Sequence, residues 1–173
     1  IRSETLDGAN VCEWDIYPGH ATFTMLRSAE PFWFLYEGTP GGKFDQDRDF
    51  VIRASGARTP AAESWSEVLD REKWVCFGDA STGRVLYTVH HEADECMISY
   101  WAMRREMTVL GFGRSPQGAP LEKYLVNVPN RFSVGFHESD DVESIRRAIH
   151  AVTRASCAVA EDIECLPEEQ MME

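Results

Sequence analysis

The sequence has no excess of basic residues and no long apolar run. Lysine and arginine number 17 against 29 acidic residues, which gives a formal net charge of −12 at pH 7. Such a surface disfavours nucleic acid and anionic membrane, so we expect neither as a partner. No stretch reaches the roughly 18 apolar residues that a spanning helix needs, and no signal peptide is recognisable. Because the chain begins at Ile1 without a methionine, we expect a processed form or a segment of a longer polypeptide.

Several chemical motifs are also missing. The five cysteines include no C-x-x-C pair, which disfavours a zinc knuckle or a thioredoxin-like site and favours buried free thiols. P-loop, Rossmann, H-E-x-x-H and EF-hand patterns are absent. His90 and His91 precede Glu92, but adjacent residues of a strand point to opposite faces, so only one histidine could join a site. We therefore predict neither a metal nor a cofactor.

What the sequence does contain is a series of short alternating runs. Its 173 residues suffice for one domain with a sizeable core. Turn residues separate about ten predicted strands between residues 10 and 137, and residues 121–126 are one of them. Residues 61–69 are expected to include a helical turn. Strands at this spacing, with few helices among them, indicate antiparallel β architecture.

Near its C-terminus the hydrophobic pattern changes from alternation to the period of a helix. Apolar or small residues recur in steps of three and four from Val142 to Ile163, which predicts an amphipathic helix over about 141–165. Asp140 and Glu143 have the spacing of a capping box. The predicted fold is a single-domain, jelly-roll-like antiparallel β-sandwich whose C-terminal helix covers an edge or an outer face.

The first predicted hairpin turns at Pro18-Gly19. A two-residue loop fixes its register and separates two faces. The polar face carries Glu13, Asp15, Tyr17, His20, Thr22 and Thr24. The apolar face pairs Cys12 with Met25, Trp14 with Phe23, and Ile16 with Ala21, and is expected to be the core. The polar face also fits the solvated side of a half-buried sheet.

A second hairpin is predicted around Arg104-Arg105. Its expected register places Tyr100 opposite Val109 and Trp101 opposite Thr108 on the other face. In that position Trp101 would stack on a sugar ring or belong to a second core layer.

The segment after the third strand is rich in glycine. Glu37 alternates with Trp33 and Leu35, which is compatible with a half-buried acid of raised pKa. Gly41 and Gly42 allow a backbone to approach a ligand closely, although a tight turn explains them as well.

The aromatic, alternating strands resemble those of concanavalin A-like β-sandwich domains, which occur in bacterial glycan-active enzymes and carbohydrate-binding modules. The resemblance rests on Asn10–Tyr17, Pro31–Glu37 and Arg131–His137. It implies a β-sandwich that takes a glycan as its ligand.

The leading hypothesis is a carbohydrate-active β-sandwich that binds a polysaccharide and, as a lyase or glycoside hydrolase, cleaves it. For cleavage, Tyr17 and His20 would transfer the proton, and Asp15 or Glu37 would orient the histidine or act as the acid. The expected substrate-binding residues are Glu13, His90, Trp101, Gly41 and Gly42. Two alternatives stay open: a noncatalytic binding module of a larger protein, and a calycin-like closed barrel that carries an apolar small molecule.

Overall fold

The fold is a two-layer antiparallel β-sandwich with one helix outside it, as the sequence predicts. A computed structural model describes residues 1–39, 42–69, 72–93, 96–103, 107–116 and 118–164. The large sheet has the strand order β1-β2-β3-β12-β9-β8-β5-β6, and the small sheet has the order β4-β11-β10-β7. The described strands thus form two sheets, and they do not join into the single closed barrel of the calycin-like alternative.

The large sheet contains β1 (Arg2–Glu4), β2 (Val11–Ile16), β3 (His20–Arg27), β5 (Phe50–Arg53), β6 (Arg58–Pro60), β8 (Trp74–Asp79), β9 (Arg84–His90) and β12 (Asn130–His137). The small sheet contains β4 (Phe34–Glu37), β7 (Trp65–Leu69), β10 (Cys96–Met103) and β11 (Met107–Phe112). The predicted strand at residues 121–126 forms only isolated bridges, at Lys123 and Leu125.

The register predicted for the first hairpin is confirmed. Trp14 pairs with Phe23 and Asp15 pairs with Thr22, and the Tyr17 amide donates to the His20 carbonyl oxygen at 2.9 Å. On the apolar face, Trp14, Phe23 and Met25 pack on the core as expected, whereas Ile16 is 66% exposed. Ile16 lies at the end of its strand, next to the turn.

The register predicted for the second hairpin is wrong by one residue. Tyr100 pairs with Leu110 and Trp101 pairs with Val109, because Met103 pairs with Met107 and leaves three residues between the strands. A connection one residue longer than assumed shifts every pair. Trp101 lies on the opposite face of its strand from the buried Tyr100, which is the outer face of the small sheet.

The helical turn expected at residues 61–69 is also wrong. Trp65–Leu69 is strand β7, which pairs along β10 with Trp65 opposite Tyr100. Long-range pairing with a neighbouring strand here overrides a weak local preference.

The main core lies between the sheets and is built from aromatic rings. Phe34 of the small sheet stacks on Phe132 of the large sheet, with ring centroids 4.5 Å apart and planes within 6°. Trp14 and Phe23 pack beside this pair. Since these rings fill the space between the sheets, the broad solvent-facing surfaces of the sandwich are its two outer faces.

The helix α1 (Val142–Glu164) covers part of the outer face of the large sheet. Its buried residues Ile145 and Ile149 pack in one cluster with Trp74 and Tyr87 of strands β8 and β9. Across the described residues, no helix has both the length and the apolar character needed to cross a bilayer.

The predicted helix cap is displaced by one residue. The Asp141 carboxylate, instead of Asp140, accepts a hydrogen bond from the Ser144 amide at 2.8 Å. Asp140 forms an ion pair with Arg58 at 3.0 Å. Both aspartates have the chemistry of a cap, and sequence alone did not distinguish them.

Candidate functional site

The outer face of the large sheet is divided between the helix and an uncovered part on β2 and β3. We call the outward side chains of this uncovered part the hairpin face; they are Glu13, Asp15, Tyr17, His20, Thr22 and Thr24. Tyr17 and His20 stack in parallel, with ring centroids 4.6 Å apart and an angle of 17° between their planes. Four of the predicted site residues are therefore on one surface.

Thr22 is the buried member of the hairpin face and belongs to a chain of hydroxyl groups and a histidine on the same side of the sheet. The hydroxyl of Thr22 is hydrogen-bonded to that of Ser133 at 2.9 Å, and His91 Nε2 contacts the same Ser133 oxygen at 2.7 Å. Thr22 and Ser133 are both buried, so this chain holds β3, β12 and β9 together and does not present a reactive serine to solvent.

Burial keeps both histidines of this region neutral near pH 7. Burial lowers the pKa of His20. For His91, burial and the nearby charges of Arg131, His90 and His20 lower the pKa to about 4. A neutral imidazole has one donor and one acceptor nitrogen, so the half-buried His20 can serve either role toward a hydroxyl-bearing ligand.

A cavity of about 560 Å³ lies beside the helix, between α1 and the ends of β8 and β9. Its main acid, Glu72, contacts His150 at 2.9 Å and Arg146 at 3.3 Å. Burial raises the pKa of Glu72, but hydrogen bonds from His150, Trp74 and Arg146 outweigh burial and lower it overall. These contacts join the helix to the segment before β8.

The outer face of the small sheet brings together two further predicted residues. Glu37 and Trp101 both pair with Val109, one from each side, so they lie on the same face two strands apart. This face is on the opposite side of the sandwich from Tyr17 and His20, and Glu37 therefore cannot assist that ring pair.

Sequence reasoning missed the central residue of this second face, Arg114. Its guanidinium carbon lies 3.4 Å from the centroid of the Trp101 ring and 5.7 Å from that of Trp33. Lys123, which pairs with Arg114 in an isolated bridge, lies 5.2 Å from the Trp33 centroid. We call the surface formed by Trp33, Trp101, Arg114 and Lys123 the tryptophan face.

The remaining predicted residues lie elsewhere. His90 is buried between the sheets, where its ring stacks on Phe132 at 4.7 Å and its Nε2 contacts Asn130 at 2.8 Å. Gly42 is exposed, and Gly41 lies outside the described residues. The structure thus places His90 in the core and away from both outer faces.

Within the described ranges, no three His, Cys, Asp or Glu side chains are arranged to hold a metal ion. Three carboxylates nevertheless lie close together, those of Asp45 and Asp49 in the loop before β5 and that of Asp79 at the end of β8. Burial, together with the other two carboxylates, raises the pKa of Asp49, although its carboxylate accepts a hydrogen bond from the Asp45 amide at 2.8 Å. This hydrogen bond indicates a loop-stabilising role.

Comparison of this chain with protein-family models, curated proteins and solved structures gives no match. The functional argument therefore rests on the fold and the two faces.

Proposed function

We propose that the protein binds a neutral polysaccharide on its hairpin face. The observation that carries the proposal is the parallel stack of Tyr17 and His20 beside the carboxylates of Glu13 and Asp15. Sugar rings combine an apolar C–H face with many hydroxyl groups, and an aromatic surface next to acceptors matches both properties.

The dimensions and charge of the face favour a neutral chain. Glu13, Asp15 and Tyr17 alternate along one strand, so the row extends for roughly 13 Å at about 3.3 Å per residue. Two carboxylates on this row, in a protein of net charge −12, repel an acidic glycan. The same carboxylates accept strong hydrogen bonds from hydroxyl donors.

The geometry favours binding over cleavage. Tyr17 and His20 meet through their ring faces, and among the described residues neither side chain is hydrogen-bonded to a carboxylate that would orient it for proton transfer. Asp15 pairs with Thr22, two pairs along the hairpin from the two rings. General acid–base catalysis needs a hydrogen-bonded arrangement of the groups that exchange the proton.

The proposal is tested by titrating soluble cello-, xylo-, manno- and laminari-oligosaccharides into the protein by isothermal calorimetry. We expect at least one series to bind, and Tyr17→Ala to weaken that binding about tenfold, since a ring contact worth about 1.4 kcal/mol is a factor of ten. Reducing ends should not accumulate during the titration.

Tyr124→Ala is the matched control. Tyr124 is 44% exposed and Tyr17 is 38% exposed, but Tyr124 lies in the segment that follows Gly118, away from the hairpin face. Its removal should leave the affinity unchanged. The proposal fails if no neutral oligosaccharide binds, or if the two alanine variants lose the same amount of affinity.

A further inference from the structure

Arg114 is a buried cation with no acceptor. Only 8% of the residue is exposed, and among the described residues no side chain or carbonyl oxygen accepts a hydrogen bond from its guanidinium. Its Nε is fully buried and without a partner. Of the five N–H donors of a guanidinium, the one on Nε is here unpaired and away from water, which is costly.

The chain is built to hold Arg114 in this position. A Cβ atom placed at Gly111 would lie 2.8 Å from Leu35 Cδ2 and 3.0 Å from Arg114 Cβ. Glycine at this position of β11 therefore lets the arginine lie flat across the sheet, with its guanidinium over the Trp101 ring. The orientation is fixed by packing, with no ion pair.

Other donors on this face also lack acceptors. Trp101 Nε1 and the Ser99 hydroxyl are buried and have no hydrogen-bonding partner among the described residues. Ser99 pairs with Gly111, directly under the arginine. Burial lowers the pKa of Arg114 and the charge of Glu37 raises it, but among the described residues no ion pair joins the two. The exposed Lys123 adds a second positive charge. The face therefore combines two cations and two indole rings with a shortage of acceptors.

We propose that the tryptophan face binds a carboxylic acid that carries a flat apolar ring, with the carboxylate on the Arg114 guanidinium and the ring against Trp33. A carboxylate supplies two acceptor oxygens in the plane that a guanidinium recognises. The indole beside it supplies an apolar surface for the rest of the molecule. This site is on the opposite face of the sandwich from the proposed glycan surface and is independent of it.

Benzoate is the simplest probe of this assignment, and benzamide is its uncharged counterpart of nearly the same shape. We expect benzoate to bind in the roughly millimolar range that suits so small a ligand, and to shift the indole N–H resonances of Trp33 and Trp101 saturably in ¹H–¹⁵N spectra. Benzamide and inorganic phosphate should bind at least about tenfold more weakly. If benzamide binds as tightly as benzoate, the carboxylate is not recognised. If phosphate binds as tightly as benzoate, the ring is not recognised. Either result overturns the assignment.

Two variants test the role of the cations. Arg114→Lys keeps the charge but loses the planar fork, so benzoate affinity should fall about tenfold. Lys123→Gln changes an exposed side chain and should weaken benzoate about threefold, whereas Lys43→Gln, an exposed lysine of another loop, should not. Unchanged affinity in Arg114→Lys overturns the assignment. If Arg114→Lys does not fold, unchanged affinity in Lys123→Gln overturns it.

Discussion

Acidification should destabilise the folded protein through His91, and His91→Gln should remove that effect. His91 has a pKa of about 4 in the folded state, against an ordinary value of 6.5. Below pH 6.5 the unfolded chain takes up a proton that the folded chain refuses, so the stability supplied by neutral His91 is present above pH 6.5 and is lost as the pH falls toward 4.

The two pKa values set the size of the effect. The complete loss amounts to about 3 kcal/mol at roughly 1.36 kcal/mol per pH unit, and about 2 kcal/mol of it falls between about pH 7.5 and about pH 5. Glutamine at position 91 keeps a hydrogen-bonding group near Ser133 but does not titrate. The free energy of unfolding of the wild-type protein should therefore fall by about 2 kcal/mol more than that of His91→Gln over this range.

Urea unfolding at a series of pH values, followed by tryptophan fluorescence, measures this difference. Carboxylates that titrate in both proteins cancel when the two curves are subtracted. The chemical shift of the His91 ring protons gives the folded-state pKa independently. Parallel stability curves for the two proteins, or a ring that titrates near pH 6.5, would refute the reasoning.

Three further changes test the packing. Ile149→Ala should lower the free energy of unfolding by about 2–5 kcal/mol, because Ile149 is 1% exposed between helix and sheet; an unchanged urea midpoint would contradict this docking. Asp141→Ala should cost about 0.5–2 kcal/mol by loss of the helix cap, measured as a lower melting temperature by circular dichroism, and equal melting would disprove the cap. Gly78→Ala should strongly reduce soluble yield, since its Cβ would overlap the ring of Phe50, whereas Gly19→Ala has open space and should not; equal yields would contradict the packing.

The two hairpins show which parts of the fold the sequence determines locally. Pro18-Gly19 marks a two-residue turn, and once the turn is known the pairing of both strands follows. Arg104 and Arg105 carry no such signal, so the sequence does not determine the length of the second hairpin loop. The register predicted for a two-residue loop is therefore wrong by one residue. The residues at 104–106 lie outside the described part of the chain.

The candidate sites likewise contain residues that a local pattern predicts and residues that only tertiary packing brings together. Tyr17 and His20 are neighbours across one turn, and their shared face follows from alternation alone. The hydroxyl groups of Thr22 and Ser133 are hydrogen-bonded across strands that are far apart in the sequence, and no local pattern indicates such a contact. Arg114 was missed for the same reason, because its position over Trp101 depends on tertiary packing and on the absence of a side chain at Gly111.

The outermost strands of the large sheet offer a poor template for pairing with another copy of the chain. β1 and β6 have only three residues each, and β6 ends in Pro60, which has no N–H to offer. An intruding strand needs a row of unpaired N–H and C=O groups as its template, and short or proline-containing edges deny it that row. A sheet of eight strands with long unpaired edges would favour polymerisation by addition of strands from other copies. The two short edge strands disfavour such addition.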